Sequence, residues 1–161
     1  MPENRMRIAY IHDSPLFERL ETDYRDPLKL RELGFTDVVL SDQMNGCLFG
    51  VTPELVDEVE TVSDLGLGVW LMDDLFTLPA DSIAGSPGLE ETWTITGQAI
   101  RDVIESVPQI RGLVFRYGET FESSDSAIKR VGLFDCQCID CSSMDEMARR
   151  RKVIELLESV V

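Results

Sequence analysis

Apolar strand-like runs alternate with capped helical segments along this chain, and no two-residue hairpin turn joins any of them. Arg7-Ile8-Ala9-Tyr10-Ile11 is a short strand that ends at His12-Asp13. Asp26-Pro27-Leu28-Lys29-Leu30-Arg31-Glu32-Leu33-Gly34 follows as a helix, with Asp26 at the N-cap, Pro27 at the first helical position and Gly34 as the stop. Phe35 to Leu40 is the second strand, ending at Ser41-Asp42. Thr52-Pro53-Glu54 opens the second helix, whose stripe is Leu55, Val56, Val59 and Val62 and whose end is Gly66. Leu67 to Met72 is the third strand, ending at Asp73-Asp74. After the loop LPADSIAGSPG, a helix from about Glu90 to Val107 shows Ile95, Ala99, Val103, Ile104 and Val107 near helical spacing. Pro108 ends it, and Leu113-Val114-Phe115 forms the core of the fourth strand. A cysteine-bearing loop and a helix from Met144 to about Ser159, capped near Ser143, complete the series.

The order β-α-β-α-β-α-β-α predicts an α/β fold with right-handed crossovers and a parallel sheet. No linker separates domains, so residues 1–161 read as one (βα)4 domain. Every strand then delivers polar residues to the carboxyl edge, where ligand sites of parallel sheets lie. These are His12 and Asp13, Ser41 and Asp42, Asp73 and Asp74, and the group Arg116-Tyr117-Gly118-Glu119. Taken singly, an Asp or Ser after a strand also serves to cap the next helix or satisfy a turn. His12, the only histidine, reads equally as a hydrogen-bonded structural group. Glu119 is the strongest candidate, because Gly118 permits a tight backbone and Arg116 and Tyr117 stand beside it to bias its proton affinity.

Several functions are disfavoured by what the chain lacks. HDSPLFERLETD after the first strand holds neither G-x-G-x-x-G nor G-x-x-x-x-G-K-[ST], and no G-x-S-x-G occurs elsewhere. A receiver domain would need a late lysine after a fifth strand, and none is present. The net charge of −15 would repel a nucleic acid, and the one basic cluster, Arg149 to Lys152, reads as a solvated helix face. No apolar run of about 18 residues suggests a membrane span. MPENRMRIAYIHD does not resemble a secretory signal, so a cytoplasmic location is expected. Three lysines against twelve arginines, fifteen Asp and fifteen Glu suggest a halophilic protein. An ordinary acidic protein is the alternative.

The chain also resembles the N-terminal half of a TIM-barrel glycoside hydrolase, of the hexosaminidase-like and alpha-glucuronidase-like kind. LKLRELGFTDVVLSD looks like the first helix and second strand of such barrels. IRGLVFRYGETFE is similar to their fourth strand, which ends in a glutamate. FDCQCIDCSSMDEMARRRKVIELLESV resembles a cysteine-bearing segment and helix of their relatives. The resemblance implies half of a TIM (β/α)8 barrel, a fragment of a larger catalytic domain acting on a carbohydrate substrate. A full barrel needs eight βα units. The resemblance makes Glu119 the general acid/base. His12, Asp13, Asp42, Asp73, Asp74, Arg116 and Tyr117 become substrate contacts. Trp70 and Tyr117 are candidates for stacking on a sugar, although Trp70 inside its strand reads first as core.

A second carboxylate is required, and Asp73, Asp74 and Glu122 are the weak candidates within the chain. A half barrel would also leave sheet edges open, so self-association or a C-terminal second half is expected. No cofactor is required for this chemistry. Cys136, Cys138 and Cys141, in the pattern C-x-C-x-x-C, suggest a structural zinc with Cys47 or His12 as fourth ligand, or a local disulfide, or reduced packing thiols. The runner-up functions are a non-catalytic carbohydrate-binding or assembly module and a metal-dependent hydrolase.

Overall fold

The computed structural model describes residues 5–11, 26–40, 51–74, 77–79, 88–116, 121–122, 128–130, 136 and 139–160. For 73–74, 77–79, 121–122 and 128–130 it describes the backbone alone. The elements run β1 (Ile8–Ile11), α1 (Pro27–Glu32), β2 (Asp37–Leu40), α2 (Pro53–Asp64), β3 (Gly68–Asp74) and β4 (Thr77–Pro79). They continue with α3 (Glu90–Ser106), β5 (Ile110–Arg116), β6 (Phe121–Glu122), β7 (Ile128–Arg130), α4 (Ile139–Ser142) and α5 (Glu146–Val160). The protein is α/β, with a four-stranded parallel sheet in the order β1-β2-β3-β5. The chain divides into two compact units.

The first unit holds β1, α1, β2, α2, β3 to Asp73 and β5 to Val114. Its helices start and stop as their chemistry dictates. The Asp26 carboxylate accepts the Leu28 amide at 2.9 Å, and the Thr52 hydroxyl accepts the Leu55 amide at 3.3 Å. Past the two C-termini, Gly34 and Gly66 take positive φ values of 84° and 79°, which other residues adopt only with strain.

Register sets the two faces of the sheet. Ala9, Val38 and Val69 lie level, as do Ile11, Leu40 and Leu71. Val38, Leu40, Val69 and Leu71 are at most 1% exposed, and Leu55, Val59 and Val62 of α2 are buried as the matching apolar stripe. Alternate residues form the other face, with Ile8, Asp37 and Gly68 in one row and Tyr10, Val39 and Trp70 in the next. This face is less covered at β1, where Ile8 is 45% and Tyr10 40% exposed.

The second unit holds α3, α4, α5 and a small antiparallel sheet in the order β4-β7-β6, which the strand periodicity did not reveal. These three strands have two or three residues each, too few to establish an alternation. In α3 the expected stripe is only partly right. Ala99 and Val103 are buried, but Ile95 and Ile104 are about 40% exposed, and Trp93, Thr96, Gly97 and Ile100 are buried in their place. The reason is close approach to α5. A Cβ on Gly97 would sit 3.1 Å from Leu156 Cδ1, so the small residue marks the contact line.

Two expectations for the last helix also change. Its cap is Asp145, whose carboxylate accepts the Ala148 amide at 2.7 Å, rather than Ser143. Arg149 is buried rather than part of a solvated basic face. Its guanidinium donates to the carbonyls of Cys141 at 2.8 Å and Met144 at 3.3 Å, tying α4 to α5. Arg150 pairs with Glu146 within its own helix, and Lys152 pairs with Glu90 of α3. Among the described residues, no helix is long and apolar enough to cross a membrane.

Candidate functional site

The carboxyl edge of the parallel sheet is where the expected site residues belong. Ile11, Leu40 and Leu71 are level, so β3 runs past them through Asp73 and Asp74. β5 ends at Arg116, which is half-buried. Asp73 and Asp74 are thus the last two residues of their strand and Arg116 the last of its own, as the sequence predicts. His12, Asp13, Asp42, Tyr117 and Glu119 lie outside the described residues, as do Cys47 and Cys138. The backbone of Glu122 forms part of β6.

The thiols that are described stand in the second unit. Cys141 is fully buried in α4, and Cys136 is half-buried. Among the described residues, no group of three His, Cys, Asp or Glu side chains could hold a metal ion. A groove of about 180 Å³ lies along α3 and α5, lined by Glu90, Trp93, Lys152 and Leu156 among others. It is smaller than the usual ligand pocket of about 300–1,000 Å³, and its Lys152 already pairs with Glu90.

At the opposite, amino edge stands a polar cluster that sequence reasoning missed. Asp37 opens β2 with its side chain 1% exposed. Its Oδ2 accepts the Thr36 hydroxyl at 2.6 Å. Its Oδ1 accepts Trp70 Nε1 at 3.1 Å and the Arg111 guanidinium at 2.9 Å. The Thr36 hydroxyl oxygen in turn accepts the Arg7 amide at 3.0 Å. One carboxylate of β2 therefore bonds Trp70 of β3 and Arg111 of β5 directly, and reaches Arg7, before β1, through the Thr36 hydroxyl.

Glycine makes the crossing possible. A Cβ at Gly68 would overlap both Asp37 Oδ1 and the Arg111 side chain, and one at Gly112 would fall 2.6 Å from Trp70 Cζ3. Burial alone would raise the Asp37 pKa, but the Thr36 and Trp70 hydrogen bonds and the Arg111 charge outweigh it and leave the pKa lowered. Asp37 is thus held ionised, with its oxygens occupied by protein donors. That arrangement suits support better than proton transfer. The sequence signal was available: an acid at the first position of β2, an arginine near the start of β5, and a glycine opening the strand between them.

Comparison with family models, with curated proteins and with solved structures returns no match.

Proposed function

We propose that the chain is a (βα)4 half of a TIM-type barrel that acts on glycosidic bonds, with Glu119 as general acid/base. The observation that supports this reading most is the strand order. β1, β2, β3 and β5 lie side by side in chain order, as consecutive strands of a barrel do, whereas a doubly wound sheet reverses its order at a switch point. In this reading the strand ends present acids and an arginine to one rim. His12, Asp13, Asp42, Asp73, Asp74, Arg116 and Tyr117 are the proposed contacts to sugar hydroxyls.

In this reading Glu119 is protonated in the resting site and gives its proton to the departing glycosidic oxygen. A second carboxylate stands about 5–5.5 Å away for retention, or about 6.5–9.5 Å away for inversion. Cys136, Cys138 and Cys141 are proposed to brace the segment beyond β5 through a structural zinc. Zinc content of the purified protein by elemental analysis tests that part separately, and a chain free of bound zinc would remove it.

The functional test is release of nitrophenol from a panel of aryl glycosides by the wild-type chain and by Glu119→Gln. The expected result is a loss of about 10²- to 10⁴-fold in rate, the usual contribution of a general acid, with the circular dichroism spectrum unchanged. A variant as active as wild type would exclude Glu119. Sugar binding without turnover in the wild type would favour a carbohydrate-binding module instead.

A further inference from the structure

The four strands of the parallel sheet are not held equally. Every residue of β2 is buried, whereas none of β5 is, its residues being half-buried or exposed along the whole strand. β5 is therefore less completely covered than β2, and less covered segments are the ones that open locally. What it does have is Arg111, which reaches past Gly68 of β3 to the buried carboxylate of Asp37 on β2. Asp37 in turn depends on Arg111. Among the described residues, Arg111 is the one charged group bonded to it, and the other two side-chain donors, Thr36 and Trp70, are neutral. The Arg7 guanidinium, on the segment before β1, lies beside Gly34.

We propose that the Asp37 carboxylate is a clamp on β5: when it is neutralised or loses Arg111, β5 opens away from β3 while the pairing of β2 with β3 persists. The clamp holds the amino end of the strand whose other end leads to Arg116 and the segment bearing Glu119. It stands on the described geometry whether or not Glu119 is catalytic.

Hydrogen exchange read by mass spectrometry on the full 161-residue chain tests this, comparing residues 110–116 with 37–40 and 68–72. In Arg111→Met, which keeps most of the aliphatic stem, protection of 110–116 is expected to fall about 10- to 100-fold, the range for a lost charge-assisted hydrogen bond. Protection of β2 and β3 should stay within about threefold. Asp37→Asn should act in the same direction. Should that variant not fold, acidification of the wild type provides the second test.

The Asp37 pKa is lowered in the folded protein. Its contribution is therefore fully present above the ordinary value of 3.8 and fades as pH falls through the lower folded value. Below 3.8 the protection of β5 relative to β2 should drop in the wild type, and the drop should be absent in Arg111→Met. Equal loss across all strands, or unchanged protection of 110–116 in Arg111→Met, would overturn the proposal.

Discussion

Gly68 shows how a single residue is fixed by chemistry that lies elsewhere in the chain. Nothing in the run LGVWLM asks for a glycine, and a strand interior is weakened by one. The position is set instead by the ion pair that crosses it, since any Cβ there would overlap Asp37 Oδ1 and the Arg111 stem. Gly68→Ala should therefore destabilise the chain by about 1–3 kcal/mol, the usual range for overpacking. Urea denaturation would read this as a lower midpoint at constant slope. A midpoint equal to that of wild type would mean that Arg111 can move aside without cost. Trp70 belongs to the same cluster: it reads as core in the sequence, yet its ring is half-buried and its indole N–H is committed to Asp37.

Among the elements, the helices were the most legible. Asp26-Pro27 and Thr52-Pro53 combine a capping side chain with a residue that has no amide to lose, and both open helices at the expected residues. Thr52→Ala should lower stability by about 1 kcal/mol, read from thermal or urea unfolding. An unchanged transition would show that the cap hydrogen bond at 3.3 Å contributes little. The buried side of α3 was harder to read. Ile95 and Ile104 fit the period in sequence, but helix neighbours decide which side is buried, and α5 approaches at Gly97. Arg149 was misread for the same reason. Its charge suggests solvent, while the turn between α4 and α5 presents it with the carbonyl of Met144 and with that of Cys141, which also accepts the Met144 amide.

Charge dominates at the scale of the whole chain. A net charge of −15 over 161 residues makes self-repulsion a continuous cost, and dissolved salt screens it over about 3 Å at 1 M against about 10 Å at 0.1 M. The melting temperature should rise steadily between low and molar potassium chloride, as scanning fluorimetry can measure. A melting temperature independent of salt would count against the halophilic reading. The Asp37 clamp should be less sensitive than a pair exposed at both ends, because its carboxylate is 1% exposed and only the Arg111 side, at 55%, meets solvent.

Local patterns in the sequence were enough to determine the α/β class, the parallel crossovers, both proline-started helices and the polar residues that end β3 and β5. Each of these depends on neighbours a few positions apart: a cap, a glycine stop, a short apolar run. The small β4-β7-β6 sheet, the buried side of α3 and the Asp37 cluster depended on tertiary structure. Asp37 and Arg111 are 74 positions apart, and their pairing exists only because β3 lies between them with a glycine at the crossing point. A carboxylate in an apolar strand is costly unless donors surround it, and those donors come from the residue that leads β2 and from β3 and β5.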